Sequence, residues 1–156
     1  MSLFWIPTVL VLGAIGPLMA ARWGRSACTT ITALSPAIAM AAVAFRIPRI
    51  FDGHVFRYDT DWIPMLGLNI AFRLDGLSLL FSTLILGIGL LVILYARYYL
   101  SAADPAGRFY AYLLLFMASM VGIVLANNLL LLWFFWELTS ISSFLLIGYW
   151  HHRSDA

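Results

Sequence analysis

Five apolar runs, each long enough to cross a bilayer, take up most of this 156-residue chain, and its nine basic residues are all arginines at or beyond the ends of those runs. The runs are Leu3–Ala21, Ala27–Phe45, Leu77–Leu100, Phe109–Ala126 and Leu129–Trp150. A hydrocarbon core of about 30 Å needs roughly 20 helical residues, and lipid offers no partner for an open backbone N–H or C=O. With 63% hydrophobic and 10% charged residues, the chain reads as an all-α integral membrane protein of about five transmembrane helices. The lipid bilayer is therefore its first expected partner, and nucleic acid is not one.

The first run has no basic residue ahead of it, and Met19-Ala20-Ala21 is only a loose cleavage site, so it reads as a span and not as a signal peptide. A single cysteine, Cys28, allows no intrachain disulfide and has no metal-ligand spacing. Only Asn127 and Asn128 separate the last two runs, which predicts a tight antiparallel helical hairpin. Arg22, Arg25, Arg97, Arg108 and Arg153 fall on one side of the membrane; Arg46, Arg49, Arg57 and Arg73 fall on the other. The second group shares its long connection with Asp52, Asp59 and Asp61, so the excess of positive charge favours N-out and C-in, in a bacterial inner membrane.

Residues 46–72 are too polar to span and too rich in aromatic and branched residues for a flexible linker. Asp52-Gly53 signals a turn, His54 to Tyr58 suits a short strand, and a second extended piece is expected around Leu66–Phe72. An interfacial β-hairpin follows, lying between helices 2 and 3 with Trp62 at headgroup depth. Asp75 precedes the third long run and is placed to cap it, with ion uptake as its functional alternative. Arg97 with Tyr95, Tyr98 and Tyr99 marks the other end of that helix as an interfacial anchor.

The last run contains the chain's only glutamate, Glu137, and between Phe109 and Trp150 no other residue carries a formal charge. Helical rise puts its carboxyl roughly 12 Å in from Leu129, well inside the hydrocarbon. An acid at that depth costs roughly 2.5–3.5 kcal/mol, and the surrounding Leu, Ile and Phe return roughly 4–7 kcal/mol, so the segment can insert. The carboxyl must still face a partner helix or water, and such a group is by default a member of an ion or proton route. Spacings of three and four place Trp133, Glu137, Ser140, Ile141 and Phe144 on one face, with Ser143 beside them. Ser140 is in reach of either the carboxyl or its own backbone. Apolar burial favours a neutral carboxyl and a nearby cation the charged one. With lysine absent and the arginines at the helix ends, a cationic partner must come from a helix outside these residues.

Enzyme signatures are lacking: there is no Gly-rich phosphate loop, no Ser/His/Asp set and no cysteine cluster, so neither cofactor nor metal is expected. His151 and His152 adjoin one another after the last run, where they are candidates for collecting protons at the surface.

Two segments carry a family resemblance. FRLDGLSLLF (Phe72–Phe81) and LLLLWFFWELTSISSFLLIGYW (Leu129–Trp150) resemble the N-terminal part of the A-type subunit of the Mrp-type multisubunit Na+/H+ antiporters. The antiporter-like proton-pumping subunits of complex I are similar, but they continue differently after the Trp-Glu pair. The resemblance implies a secondary transporter component and no enzyme in the usual sense, although complex I-like subunits carry a translocase classification. It makes Glu137 the fifth-helix glutamate, paired with a lysine on a later helix and engaged in proton translocation. Asp75 matches the aspartate that opens the third helix. Residues 1–100 then form an antiporter-like region and 101–156 the start of the proton-translocating module. Implied partners are the remainder of the antiporter subunit, the other subunits of the complex, Na+ and H+. The alternatives are an antiporter-like subunit of an NADH:quinone oxidoreductase or membrane hydrogenase, and a non-transporting scaffold.

Overall fold

A computed structural model describes residues 2–63, 68–101 and 104–150 of the chain. Among these, five helical segments are long and apolar enough to cross a membrane: Trp5–Trp23, Arg25–Ala44, Gly76–Tyr99, Ala106–Leu125 and Leu129–Ile147. Each matches one of the five sequence runs to within a few residues.

The first span is not one helix. It divides into α1 (Trp5–Gly13), α2 (Ile15–Ala20) and a short 3-10 turn, Ala21–Trp23. Pro17 supplies the reason, because it has no N–H for the carbonyl of Gly13 and its ring crowds that carbonyl. Gly24 then adopts φ +97°, open to glycine alone at little cost, and turns the chain into α3 (Arg25–Ala44). Pro36 does not break α3, although it removes the usual donor to the Thr32 carbonyl. The Ser35 hydroxyl donates to that same carbonyl at 3.3 Å and takes the donor's place.

The interfacial hairpin forms, with bounds shifted from those the sequence suggests. A short helix, α4 (Ile47–Phe51), comes first and ends at the turn where Gly53 has φ +86°. The strands are β1 (Phe56–Ile63) and β2 (Leu68–Leu74), antiparallel, with Phe56 opposite Leu74, Tyr58 opposite Phe72, and an irregularity between Asp61 and Ile63. His54 therefore precedes the strand and does not begin it. The register was set by burial: alternation puts Phe56, Tyr58, Phe72 and Leu74 on the inner face, and Phe72 and Leu74 are wholly buried.

Helices α5 (Gly76–Tyr99), α6 (Ala106–Leu125) and α7 (Leu129–Ile147) complete the chain. α6 is central, packed against α1, α2, α3, α5 and α7. Close approach depends on small residues, as expected where lipid gives no hydrophobic drive to helix pairing. A Cβ at Gly107 would lie 2.7 Å from the Pro17 carbonyl oxygen, and one at Gly122 would enter the Phe135 ring.

The arginine-bearing ends assemble as two groups. At one end Arg25 donates to the Leu100 carbonyl and Arg97 donates to Ser26 Oγ at 3.1 Å. At the other, Arg73 pairs with Asp75 at 2.9 Å beside the hairpin, and Arg46 stands over the Phe56 ring.

Candidate functional site

Glu137 lies in the third turn of α7, and its direction is set by residues on either side of it. α7 packs along α6 through Phe135 and Ser142, its two buried residues. Phe135 fits over Gly122 of α6 and also meets the Phe72 ring of β2, with centroids 6.1 Å apart. Residues two positions apart on a helix are separated by about 200°, so burying Phe135 turns Glu137 to the far side. Trp133, Trp136, Ser140, Ile141 and Phe144 share that outward side with Glu137 and are all exposed.

Glu137 therefore forms part of an open groove of about 660 Å3 lined by Leu129, Leu130, Leu132, Trp133 and Trp136. Among the described residues it has no hydrogen-bond or ion-pair partner. Nor do the hydroxyls of its helix turn to it. Ser140 Oγ donates to the Trp136 carbonyl at 3.4 Å, Thr139 to Phe135 at 2.9 Å, and Ser142 to Leu138 at 2.8 Å. Of the two bonds open to Ser140, the structure has the backbone one. Its hydroxyl still stands one turn from the carboxyl on the same face. Ser143 is half-buried on the flank.

The start of α7 is better held. Asn128 is its N-cap, with Oδ1 accepting from the Leu131 N–H at 2.7 Å. Its Nδ2 donates to the Asn69 carbonyl at 2.7 Å and to Asn69 Oδ1 at 3.1 Å. The Asn127 N–H donates to the Ala71 carbonyl at 2.9 Å, and Ala126 bridges to Phe72. The turn between α6 and α7 thus sits on the edge of the hairpin. Sequence reasoning missed this junction. Asn128 ahead of an apolar run is a readable capping signal, but nothing local points from Asn128 to Asn69.

Asp75 is far from Glu137 in chemical setting. It caps α5, accepting from Ser78 N and Ser78 Oγ at 3.0 Å each, and it pairs with Arg73. The Ser78 N–H holds its carboxyl below the ordinary carboxylate range, with the Ser78 hydroxyl and Arg73 adding to the effect against partial desolvation. His151 and His152 lie outside the described residues. Among the described residues no three His, Cys, Asp or Glu side chains converge as a metal group would require.

Known proteins give this geometry a context. Residues 62–110 match the family described as "NADH-Ubiquinone oxidoreductase (complex I), chain 5 N-terminus", and residues 126–156 match "NADH:quinone oxidoreductase/Mrp antiporter, TM". A probable K(+)/H(+) antiporter protein of Rhizobium meliloti, of the A/B subunit type, is 55% identical over 123 residues, 76% of this chain and 12% of that protein. The A1-type subunit of a Na(+)/H(+) antiporter from Staphylococcus haemolyticus is 57% identical over 93 residues, 60% of this chain and 12% of that protein. In the solved Mrp complex from Dietzia sp. DQ12-45-1b, one chain superposes with a TM-score of 0.79 at 33% identity, over 92% of this chain and 15% of that one. An archaeal membrane-bound sulfane sulfur reductase shares the fold, with a TM-score of 0.72 at 23% identity over 89% of this chain and 22% of that one. This chain thus covers between 12% and 22% of the length of these relatives.

Proposed function

We propose that this chain, which belongs to the family of A-type subunits of Mrp antiporters, contributes Glu137 to a transmembrane proton pathway within a larger cation/proton antiporter complex. The observation that carries the reading is the placement of the one acid within the five spans. Glu137 is fixed by Phe135 on the outward side of α7, in a groove with no partner among the described residues. A carboxyl facing lipid there would be costly, so the groove is the surface that other helices of the subunit or complex cover. Contact with a cation on such a helix favours the ionised form, and loss of that contact favours the protonated one. Alternation between the two moves one proton per cycle.

Na+ is the first candidate for the exchanged ion, although K+ stands in the printed name of one relative and Na+ in that of another. Ser140 and Ser143 are the hydroxyls best placed to hand a proton to or from Glu137 through water. Asp75, already satisfied by Ser78 and Arg73, supports the α5 end of the route by capping, and His151 and His152 remain candidates for proton collection. The sequence count of five arginines, Arg22, Arg25, Arg97, Arg108 and Arg153, against Arg46, Arg49, Arg57 and Arg73 supports N-out and C-in insertion in a bacterial inner membrane.

The test is cation-dependent proton movement in vesicles that hold the complete complex, with subunit content checked first and Na+ compared with K+. Glu137→Gln keeps shape and removes the exchangeable proton; assembly should persist and exchange should collapse. Glu137→Asp should keep part of the exchange, since a shorter carboxyl still ionises. Full exchange by an assembled Glu137→Gln complex would falsify the relay role and favour a scaffold.

A further inference from the structure

We propose that Asn128 is a positioning residue for Glu137: its side-chain amide ties the first turn of α7 to the hairpin and so fixes the direction in which the carboxyl faces. The inference rests on the relay reading of Glu137 for its functional consequence, and on geometry alone for its structural one. Along its length α7 packs chiefly on α6, and most of its surface is open. Phe135 seated over Gly122 selects the face of α7 that meets α6, but apolar contacts resist small rotations about that position weakly, because the side chains are as well accommodated by lipid as by a neighbour. A directional polar link at one end resists rotation far better.

Asn128 makes that link with both ends of one amide. Its oxygen accepts from the Leu131 N–H at 2.7 Å, and its nitrogen donates to the Asn69 carbonyl at 2.7 Å and to Asn69 Oδ1 at 3.1 Å. Asn69 is itself held, because its Nδ2 donates to the Asp59 carboxylate at 2.8 and 3.0 Å. A carboxylate only accepts, so it fixes which end of the Asn69 amide is turned to Asn128. The result is a continuous polar link, Asp59 to Asn69 to Asn128 to the α7 backbone, between the hairpin and the helix that bears Glu137. A helix rotation of about 20° would carry the carboxyl about 2 Å sideways, and displacements of about 1 Å can cost a reacting group up to a hundredfold in rate.

Asn128→Ser separates the two jobs of the residue. A serine hydroxyl still caps the helix nearly as well as asparagine, but it has no amide to reach Asn69. In the complete complex, two quantities are read for this variant: exchange turnover per assembled complex across pH, and the infrared carboxyl band assigned to Glu137 by its loss in Glu137→Gln. We expect turnover to fall roughly tenfold, its pH profile to move, and the band to shift. Asn69→Leu, which leaves the cap untouched, should move the same band in the same sense. An unshifted band with wild-type turnover and pH profile in assembled Asn128→Ser overturns the proposal. So does failure of both variants to assemble, which assigns the link to folding alone. The relay reading fails separately, through wild-type exchange by Glu137→Gln, whatever the band does in Asn128→Ser.

Discussion

The interior around α6 and the outward side of α7 treat polar groups in opposite ways. Over the apolar span of each helix, 56% of α6 is buried against 11% of α7. Inside, Tyr110 has no exposed surface and bonds to Thr29 Oγ1 at 3.2 Å and to the Ile93 carbonyl at 3.3 Å, joining three helices. Thr32, Ser35 and Ser119 are likewise buried and donate to backbone carbonyls of their own helices. Outside, the one carboxyl has no partner among the described residues, and the hydroxyls nearest to it bond elsewhere. Tyr110, Thr32, Ser35 and Ser119 are satisfied within the bundle, where the buried Ser82 hydroxyl is an exception, whereas the Glu137 carboxyl is left open on the outward side. The difference separates a packed core from the open carboxyl proposed above as the relay group.

Substitution at Glu137 tests this contrast most strongly. Exchange by an assembled Glu137→Gln complex should fall on the order of a hundredfold, the usual worth of a positioned acid or base. A comparable loss from Tyr110→Phe, at equal subunit content, would erase the distinction between core and site.

Next in size is the lock that aims α7. Gly122→Val should force Phe135 off α6 and cost about 1–3 kcal/mol, the usual range for overpacking, read as a lower thermal midpoint of the detergent-solubilised complex. Phe135→Ala in the same chain should recover much of it, because it removes the ring that the new side chain meets. Gly89→Ala offers a milder control, since its neighbour is the flexible Met117 side chain. An equal loss from both glycine variants would break the claim that Gly122 is special.

Asp75 gives a smaller, pH-dependent effect. Asp75→Ala should destabilise by about 1 kcal/mol through the lost cap, and Asp75→Asn should cost less because asparagine caps equally well. The folded carboxyl is held below its ordinary range, chiefly by the Ser78 N–H. Its stabilisation is therefore present above the ordinary carboxylate range and is lost as pH falls through the lowered value. Thermal midpoints of wild type and Asp75→Asn should thus converge in acid. Smallest of all, Tyr110→Phe should cost about 0.6 kcal/mol, the average for interhelical hydrogen bonds in a membrane protein, with exchange per assembled complex unchanged.

Much of this was legible in the chain itself. Apolar length and arginine placement are sufficient for five helices and for their grouping into two ends, because the bilayer leaves a backbone few alternatives. The isolation of Glu137 in the last span is equally a property of sequence, as is the capping chemistry of Asp75. Periodicity also put Trp133, Ser140, Ile141 and Phe144 on the face of Glu137, because 3.6 residues per turn is a local rule.

What periodicity does not say is which face is turned inward. α7 is apolar nearly all round, so its own sequence favours no side. That choice fell to contacts between residues remote in sequence: Phe135 entering the space left by Gly122, and Phe72 of β2 closing against the same ring. The clasp of Asn128 on Asn69 is also non-local, spanning 59 residues. The strand bounds moved from those expected for a related reason: the Asp52-Gly53 turn forms but closes α4, and burial of Phe72 and Leu74 beneath the hairpin carries β2 on to Leu74. The sequence alone thus determined that a carboxyl lies within a helix long and apolar enough to cross a membrane. Its direction, and what holds it there, were decided by tertiary packing, because on a uniformly apolar helix only steric fit and directional hydrogen bonds distinguish one face from another.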